Sequence, residues 1–556
     1  MKNKSTLNWI YRKVKGYIPQ VVLISVLSSI VSLSGIALIL VTRIILDNAQ
    51  AGIIGDTLYK NIIILALILV LQLGVNAING ILKARVAGRM DIHLKSQIFE
   101  RLISKDYSEI TKMHSGEIVN RLCSDIDIVV KGVSAIIPSA ISLIVKLIAG
   151  IAVVIILDPI IAAIVIVIGF VFPFVGRLLS KRYKYLHKEA QRTDGITRSF
   201  LQESFQNIIV IKTFLANNPI KRKLGGYLED NFRIKIKRST LGVTTHTGLY
   251  GSFTLGYYAV IIWGAVGIAL GSVTYGTFLA FLQLVSQLRN PLQNISGLLP
   301  QYYSTVASAE RLIEIEEMKE EKFAPNIDTQ ALYDKLRFIG ADSLCFGYDD
   351  HDIINHSDFK IKKGSICAVT GESGTGKSTL IRLLLSLYEP TDGRLYLQTD
   401  DGDINVSPGL RGLFAYVPQG DLVLSGTIRE NIAFLAGDVT DEQVEKAARQ
   451  AVIYDFISSL PQGFDTYIGE RGLGLSEGQL QRIAIARALL LDSPILLLDE
   501  CTSALDNETE LALLRNLKAE SGKTVILITH RPAALDICDR ELNIKDGKIT
   551  LRKIER

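Results

Sequence analysis

Six apolar runs, each about twenty residues or longer, occupy most of the first three hundred positions of the sequence. They lie near 21–45, 59–82, 133–157, 160–179, 242–271 and 274–297. A helix of about twenty apolar residues is long enough to cross the hydrocarbon core of a bilayer. The pattern therefore predicts an all-α membrane domain of six transmembrane helices, and the even number places both ends of the domain on one side of the membrane.

The connections between these runs are alternately short and long. The short ones near 47–57, 158–159 and 271–274 carry no Lys or Arg, whereas the links 83–132 and 177–238 are long and rich in basic residues. Basic residues are retained on the cytoplasmic side of a membrane. Both long links and both termini are therefore predicted to be cytoplasmic, and the chain to be a multi-pass protein of the cytoplasmic (inner) membrane.

Both long links have apolar residues at helical spacing, so the transmembrane helices are expected to continue well beyond the bilayer. Within the links, Ser115–Val129 and Asn217–Leu224 mark approximate places for the chain to turn back. Such turns could carry force from a soluble domain to the membrane helices. A solvated charged face explains the same composition equally well.

The pattern changes near 301–326, where an acidic, solvated helix runs into a proline-containing linker. No internal repeat follows. This change predicts a membrane domain over 1–310, a linker over 311–335 and a separate soluble domain over 336–556.

The stretch GESGTGKST in the soluble domain fits the phosphate-loop pattern G-x-x-x-x-G-K-[ST]. A strand-like segment precedes it and a helical segment follows it, so backbone N–H groups and a helix N-terminus can surround a phosphate. An α/β P-loop NTPase domain is therefore predicted. Its expected nucleotide-binding residues are Gly371, Glu372, Ser373, Gly374, Thr375, Gly376, Lys377, Ser378 and Thr379. The loop alone leaves a glycine-rich turn without a ligand as the alternative.

A second segment, SPILLLDE (Ser493–Glu500), is an apolar strand that ends in two carboxylates. Asp499 suits a phosphate-bound Mg²⁺ ion, held through water and together with Ser378, and Glu500 suits the attacking water. Taken alone, two carboxylates could simply end a structural strand. Their position downstream of a phosphate loop favours a site for ATP and Mg²⁺.

Composition adds three constraints. With 48% hydrophobic residues, the chain is too apolar for an average soluble protein, which supports the membrane domain. The net charge of +5 is small for 556 residues, and membrane topology already explains the basic residues, so no nucleic-acid partner is expected. The five cysteines lack metal-ligand spacing and are predicted to be unpaired thiols.

The segment GLGLSEGQLQRIAIARALLL (Gly472–Leu491) resembles the ATP-binding cassette (ABC) family, and the resemblance extends over essentially the whole chain. LSEGQ matches the family signature, with Glu477 where the commonest form has Gly. Ser476, Gly478 and Gln479 are implied to bind nucleotide at the start of the following helix, which is another anion site. In this family two cassettes pair, so that the phosphate loop of one faces the signature of the other.

Four further residues match motifs of the family. The resemblance implies that Tyr348 in CFGYDD stacks on adenine and that Gln419 in YVPQ senses Mg²⁺ and contacts the transmembrane part. It also implies that Asp506 in SALD crosses the dimer interface and that His530 in LITH holds the γ-phosphate. YIGERG (Tyr467–Gly472) resembles a segment characteristic of exporters.

The resemblance implies a type I ABC exporter half-transporter, an ATPase that moves a substrate by alternating access as a dimer. Glu500, His530 and Gln419 are the expected catalytic residues, and ATP and Mg²⁺ the expected cofactors, with Ser378, Gln419 and Asp499 at the metal. The expected partners are membrane lipids, a second copy of the chain, and a peptide or amphipathic small molecule as cargo. A lipid flippase and one half of a heterodimeric multidrug exporter are alternatives. So are a soluble-type ABC ATPase and a channel-like member with weak hydrolysis.

Polar residues within the predicted spans indicate a partly polar cavity for cargo, although many could equally form hydrogen bonds between helices. They are Gln72, Asn76, Asn79, Lys146, His246, Tyr257, Tyr258, Gln283, Gln287 and Arg289. Lys146 has apolar neighbours for two helical turns on both sides, and no acidic residue of the spans offers it a partner. We expect Lys146 to face the cavity, where it could attract an anionic cargo group.

Overall fold

The computed structural model describes most of the chain and divides it into two compact units. The described residues are 2–53, 55–159, 182, 185–186, 188–321, 328–348, 351–420, 423–434, 436–469, 474–519 and 522–554. The first unit comprises Met1–Arg101 and Ser115–Glu317, and the second comprises Leu102–His114 and Met318–Arg556. The fourth predicted span, 160–179, lies outside the described residues.

The first unit is helical. Its described helices are Lys2–Val14, Ile18–Gln50, Asp56–Ile103, Ser115–Leu157, Ile208–Thr213, Asn217–Ala269 and Tyr275–Glu317, and residues 188–206 are also helical. The other five predicted spans fall on these helices. The fifth span ends at Ala269, two residues early, because Gly271 is left-handed (φ 68°) and begins a turn.

Within the described part of the chain, three helices are long and apolar enough to cross a membrane by length and composition alone. They are Ser5–Gln50, Asp56–Ile103 and Ser115–Leu157. Thr254–Ala269, in the fifth span, is a shorter apolar segment. Polar residues lower the hydropathy of the last two spans. TTHT occupies 244–247 in the fifth span, and the sixth contains three glutamines, Gln283, Gln287 and Gln293.

The first unit is packed inside and apolar outside. Ile39 and Phe281, from different helices, are 2% exposed or less. Val70, Leu73 and Ile156 point outwards and are each at least 70% exposed. An apolar outer face is stable against lipid tails and unfavourable against water. This arrangement fits a bilayer as the surrounding solvent.

The first reversal of the chain within the long links lies before the predicted stretch Ser115–Val129. Ser115–Val129, the predicted turn, is helical, and the chain reverses over 104–114 around the short helix Tyr107–Ile110. Asp106 caps that helix, because its carboxylate accepts a hydrogen bond from the backbone N–H of Ser108 at 2.9 Å. The capping residue, not a glycine or proline, sets the place of the turn.

The second reversal lies just before its predicted position at Asn217–Leu224. Those residues begin the long helix Asn217–Ala269, and the turn precedes them at Leu215, which is left-handed (φ 52°). The proline at position 219 accounts for the gap between the predicted and the observed position of the turn. Proline is tolerated in the first turn of a helix, so here it accompanies a helix start and not a reversal.

A buried ion pair joins two helices of the first unit. The side chain of Asp125 is 1% exposed and accepts hydrogen bonds from Arg311 Nε at 2.7 Å and Ser308 Oγ at 2.9 Å. Asp125 ends a π-helical turn, Arg121–Asp125, within the helix Ser115–Leu157. A π-helical turn takes up one extra residue and re-aims the side chains that follow. The ion pair holds this helix against Tyr275–Glu317.

The second unit is an α/β domain whose described strands form two larger sheets and one two-stranded sheet. Its strands are β1 Leu336–Tyr348, β2 His351–Lys362, β3 Ile366–Gly371, β4 Asp392–Thr399, β5 Gly402–Asn405, β6 Phe414–Val417, β7 Gly426–Thr427, β8 Tyr467–Ile468, β9 Ile495–Asp499, β10 Thr524–Ile528, β11 Arg540–Lys545 and β12 Lys548–Lys553. Its described helices are Thr329–Lys335, Lys377–Leu384, Ile428–Ala433, Asp441–Gln450, Tyr454–Ser459, Glu477–Leu490, Asn507–Ala519 and Pro532–Leu535. The larger sheet has the order β12-β11-β3-β10-β9-β6, and the smaller the order β2-β1-β4-β5.

Four neighbouring strands of the larger sheet, β3, β10, β9 and β6, are parallel. All five residues of β9 and of β10 are buried, as expected for parallel strands covered on both faces. The carboxyl ends of parallel strands meet at one edge of a sheet, and ligands bind there. The segments that follow these four strands therefore share one edge.

Arg311→Gln should destabilise the first unit, because it leaves the Asp125 carboxylate buried without its cation. Breaking a buried pair costs about 3–5 kcal/mol, and the lower end applies because the Arg311 side chain is 43% exposed. Lys131→Gln removes the partner of the exposed Asp127 and should cost less than about 1 kcal/mol. The check is the thermal unfolding midpoint of each purified variant in detergent. Equal midpoints would contradict a stabilising role for the buried pair.

Candidate nucleotide site and transport cavity

The phosphate loop connects β3 to the helix Lys377–Leu384. Gly371, Gly374 and Gly376 have φ values of 146°, 83° and 99°, which glycine adopts without strain. A Cβ on Gly371 would lie 2.5 Å from the carbonyl oxygen of Ile544, and one on Gly376 would collide with Ile353. The loop can therefore close tightly only with glycine at these two positions.

The ammonium group of Lys377 points into the phosphate loop. Lys377 is 6% exposed, and its Nζ donates hydrogen bonds to the carbonyl oxygens of Gly371 at 2.9 Å and Glu372 at 2.8 Å. The side chains of Glu372 and Ser373 are exposed, and Thr375 Oγ1 donates to the Glu372 carbonyl at 2.9 Å. A buried ammonium below an open, glycine-rich loop fits the triphosphate of ATP.

Ser378 and Asp499 form a pair of oxygen donors beside the loop. Ser378 Oγ donates a hydrogen bond to Asp499 Oδ1 at 3.2 Å, and Asp499 is 2% exposed. Burial raises the pKa of the Asp499 carboxyl, the nearby Glu500 raises it further, and the Ser378 hydrogen bond opposes both. A buried carboxylate next to a hydroxyl supplies the hard oxygen ligands that Mg²⁺ prefers, so these residues fit that ion.

Gln419, Glu500 and His530 lie together at the same edge of the sheet. They follow β6, β9 and β10, respectively. Gln419 Nε2 donates to Glu500 Oε2 at 2.6 Å, and His530 Nε2 lies 3.5 Å from Glu500 Oε1. Glu500 has a left-handed backbone (φ 49°), an uncommon conformation for a residue with a Cβ. The three residues predicted to be catalytic are thus neighbours.

Tyr348 ends β1 close to the phosphate-loop helix. Its hydroxyl is 3.3 Å from Thr379 Oγ1. Its ring centroid lies 5.0 Å from that of Phe346 and 5.3 Å from that of Tyr388, both nearly perpendicular to it. Tyr348 remains partly exposed, so an aromatic surface is available beside the loop.

The signature residues cap a helix of their own. Ser476 and Gln479 form a capping box at the start of Glu477–Leu490, with Ser476 N donating to Gln479 Oε1 at 2.8 Å. Gly478 packs so closely that a Cβ would lie 2.8 Å from the Ala504 carbonyl oxygen. In the part of the chain that the structure describes, no hydrogen bond or ion pair joins these residues to the phosphate loop.

Asp506 begins the helix that follows the catalytic carboxylates. It accepts a hydrogen bond from the backbone N–H of Thr509 at 2.9 Å, and this bond lowers the pKa of the Asp506 carboxyl. Asp506 is exposed. Its observed role is therefore to cap the helix Asn507–Ala519.

Sequence reasoning missed three residues that support this site. Tyr416 donates to Asp499 Oδ2 at 3.5 Å, and burial together with that carboxylate raises the pKa of Tyr416 to about 12. Gln481 and Arg531 both bind Ser503, at 3.2 Å and 2.8 Å, and Ser503 lies between the carboxylates Asp499 and Glu500 and the capping residue Asp506. Gln481 closely follows the LSEGQ motif, and Arg531 directly follows the LITH motif. Their positions beside these motifs could have identified them from the sequence.

A cavity of about 610 Å³ lies between the helices Asn217–Ala269 and Tyr275–Glu317 of the first unit. Its lining includes four of the polar residues that the sequence singles out: Tyr257, Tyr258, Gln283 and Gln287. Tyr250, Thr254, Ser286 and three aliphatic side chains complete it. The lining residues that the structure describes are thus aromatic, aliphatic or polar, and all of them are uncharged.

Four of the other predicted polar residues do not belong to this lining. Asn79 is 5% exposed and donates to Ser28 Oγ at 2.9 Å, a hydrogen bond between helices. Among the described side chains, the lining also excludes Gln72, Asn76 and Lys146. The side chains of His246 and Arg289 lie outside the described part of the chain.

Comparison with known proteins agrees with this geometry. Residues 21–292 match the profile of the ABC transporter transmembrane region, and residues 354–503 match the profile described as ABC transporter. The chain is 28% identical over 492 residues to an ATP-dependent lipid A-core flippase of Syntrophus aciditrophicus, covering 87% of this chain and 80% of that protein. It is 28% identical over 465 residues to a fatty acid ABC transporter ATP-binding/permease protein of Mycobacterium bovis, covering 83% and 73%.

A solved structure shares the whole architecture. The structure of a bacterial Atm1-family ABC exporter with ATP bound superposes with a TM-score of 0.79 at 25% identity, over 97% of this chain and 94% of that one. The two profile matches, the relatives and this structure agree with the predicted order of a helical membrane domain and an α/β nucleotide-binding domain. The chain belongs to the ABC transporter family, as a multi-pass exporter that couples ATP hydrolysis to transport.

Proposed function

We propose that this exporter works as a homodimer in the cytoplasmic membrane and moves an amphipathic small molecule or peptide outwards. One observation carries the hydrolytic part of the proposal. Gln419, Glu500 and His530 converge at the edge of the sheet where Ser378 and Asp499 also meet. That edge supplies phosphate ligands, cation ligands and a carboxylate for water.

Lys377 and the backbone N–H groups of the loop bind the phosphates of ATP. A phosphate oxygen is a stronger acceptor than the two carbonyl oxygens that Lys377 now contacts, so the ammonium turns to it when ATP binds. Ser378 and, through water, Asp499 and Gln419 would hold Mg²⁺, which would supply positive charge against the phosphates of ATP. Tyr348 stacks on the adenine ring.

Glu500 polarises the attacking water and accepts its proton. The hydrogen bond from Gln419 fixes one carboxylate oxygen of Glu500 and leaves the other facing His530. The left-handed backbone of Glu500 keeps the side chain aimed at this point, at a cost in strain that is typical of functional positions. His530 donates a hydrogen bond to the γ-phosphate.

Two chains complete each nucleotide site. Ser476, Gly478 and Gln479 present a helix N-terminus that contacts no phosphate loop of its own chain among the described residues, so we assign it to the nucleotide of the partner chain, with Asp506 at the interface. Every proposed catalytic residue is present in this chain, and a second copy therefore gives two equal sites.

The second cytoplasmic link supports pairing of two chains. Ile209, Phe214 and Leu215 are 77%, 77% and 82% exposed at the reversal that the basic links place in the cytoplasm. Large apolar side chains exposed to water together indicate a contact surface. A partner chain at this surface would remove them from water.

The uncharged lining of the transport cavity favours an amphipathic cargo. Tyrosine rings provide apolar contact, while the amides of Gln283 and Gln287 provide hydrogen bonds, and none of the described lining residues carries a charge. Lipid export is the second candidate, because relatives named as a lipid A-core flippase and a fatty acid transporter match most of the chain. Lys146 is half-buried on the helix Ser115–Leu157, where it remains a proposed contact for an anionic cargo group.

Glu500→Gln should keep ATP binding and lower hydrolysis by at least about a hundredfold, because the amide preserves shape and cannot accept the proton of water. Glu508→Gln, the same change at an exposed residue of the next helix, is the control and should hydrolyse ATP normally. The measurement is steady-state ATPase activity with nucleotide binding determined in parallel. Near-normal turnover by Glu500→Gln would show that another group activates water.

A mixed dimer tests the shared site. One chain carries Ser476→Arg and the other Lys377→Ala, and two affinity tags isolate the mixed species. If sites are shared between chains, both defects fall in one site and about half of the activity survives at most. If each chain forms its site alone, both sites are defective, and the mixed dimer should be as inactive as either variant homodimer.

Gln283→Leu should weaken the response to an amphipathic cargo by about fivefold in the half-maximal concentration, the equivalent of one lost hydrogen bond. The measurement is stimulation of ATPase activity in lipid vesicles by ethidium and by a fluorescently labelled phosphatidylethanolamine, which separates the two cargo classes. Gln72→Leu, outside the lining, is the matched control. Identical responses of both variants to both probes would remove Gln283 from the cargo site.

A further inference from the structure

Tyr388 lies at the centre of an aromatic cluster in the second unit. Its ring centroid is 5.3 Å from that of Tyr348 and 5.5 Å from that of Phe346. On its other side the Tyr107 ring lies 5.7 Å away at 83°. Burial raises the pKa of the Tyr388 phenol, and a hydrogen bond with Thr111 partly opposes this. One ring thus contacts both the tyrosine at the nucleotide site and the first cytoplasmic turn.

The first cytoplasmic turn, Leu102–His114, is part of the same compact unit as the nucleotide site. Two backbone hydrogen bonds pair it with the linker after the last membrane helix. Asp106 N donates to Lys319 O at 2.9 Å, and Glu321 N donates to Ser104 O at 3.0 Å. The turn and the linker are therefore held together by backbone hydrogen bonds. Along the chain they adjoin three helices with predicted spans, Asp56–Ile103, Ser115–Leu157 and Tyr275–Glu317.

Glu389, the neighbour of Tyr388, contacts the linker. Its carboxylate lies 3.1 Å from Lys319 Nζ, which is also 3.5 Å from Asp106 Oδ2. Glu389 is 66% exposed and Lys319 48% exposed, and ion pairs this open to water contribute little. The partly buried ring of Tyr388 is therefore the stronger connection between the nucleotide site and the turn.

We propose that Tyr388 is a positioning residue that transmits adenine binding at Tyr348 to the turn Leu102–His114. The inference rests on the proposed adenine contact of Tyr348. Adenine fixes the Tyr348 ring, whose hydroxyl is also tied to Thr379 of the phosphate-loop helix at 3.3 Å. Aromatic side chains have only two torsions, and Tyr388 meets both Tyr348 and Tyr107 edge-on, so a fixed first ring restricts the other two.

Hydrogen–deuterium exchange of the full-length protein in lipid nanodiscs tests this connection. Exchange is measured for residues 102–114 and for the phosphate loop 371–379, with and without a non-hydrolysable ATP analogue and Mg²⁺. In the unsubstituted protein and in Tyr388→Phe, which keeps the ring, nucleotide should slow exchange of both segments by about tenfold. In Tyr388→Leu the loop should still be protected, while protection of 102–114 should fall to less than about twofold.

Protection of 102–114 in Tyr388→Leu equal to that of the unsubstituted protein would overturn the inference and leave the proposed nucleotide site intact. A phosphate loop that nucleotide fails to protect in the unsubstituted protein would overturn the proposed site and the inference with it. If Tyr388→Leu does not fold, Tyr107→Leu breaks the same contact from the turn and is read the same way. Tyr454→Leu, which removes a cassette ring packed against Phe464 and outside the cluster, is the control and should behave as unsubstituted protein.

Discussion

A carboxylate held out of water constrains the whole nucleotide-binding domain. Asp499 ends β9, a strand whose five residues are all buried, and burial raises the pKa of its carboxyl. A charge in such a place is costly unless a cation or strong donors compensate it. Ser378 and Tyr416 supply hydrogen bonds, and Lys377 faces the adjoining loop. The parallel strands, the glycine loop and the helix after it all serve to bring these groups to one edge, which is the condition for binding a metal–triphosphate complex.

The first long link contributes part of its chain to the nucleotide-binding unit. The turn that ends the helix Asp56–Ile103 packs with the nucleotide-binding unit and pairs with the linker by backbone hydrogen bonds. Within the membrane unit, the buried pair of Asp125 and Arg311 holds two of the long helices together. The cavity lies against one of these two helices, Tyr275–Glu317.

Motifs whose residues are close together in the sequence could be predicted from it. The phosphate loop, Asp499 and Glu500 were predicted because each follows a strand whose apolar run is visible, whereas Gln419 and His530 were predicted from the resemblance to the ABC family. Parallel strands bring the ends of these segments together. The first turn was misplaced because its capping residue, Asp106, gains its partner in the linker more than two hundred residues away. Tyr388 was missed for a similar reason. A single tyrosine in a loop matches no sequence pattern, and its role follows only from the three rings that lie near it in the structure.

The polar residues of the predicted spans indicated a polar cavity. Only the structure distinguishes Gln283, which lines the cavity, from Asn79, which forms a hydrogen bond between helices.

Direct observation of the cation tests the central claim, that Ser378 and Asp499 form a metal–nucleotide site. Mn²⁺ can replace Mg²⁺ and reports its ligands by electron paramagnetic resonance. With ATP present, the Glu500→Gln protein should bind about one Mn²⁺ per chain. Adding Asp499→Asn should weaken that binding by at least about tenfold while the protein stays folded. Mn²⁺ binding with ATP that is unchanged by Asp499→Asn would contradict the account.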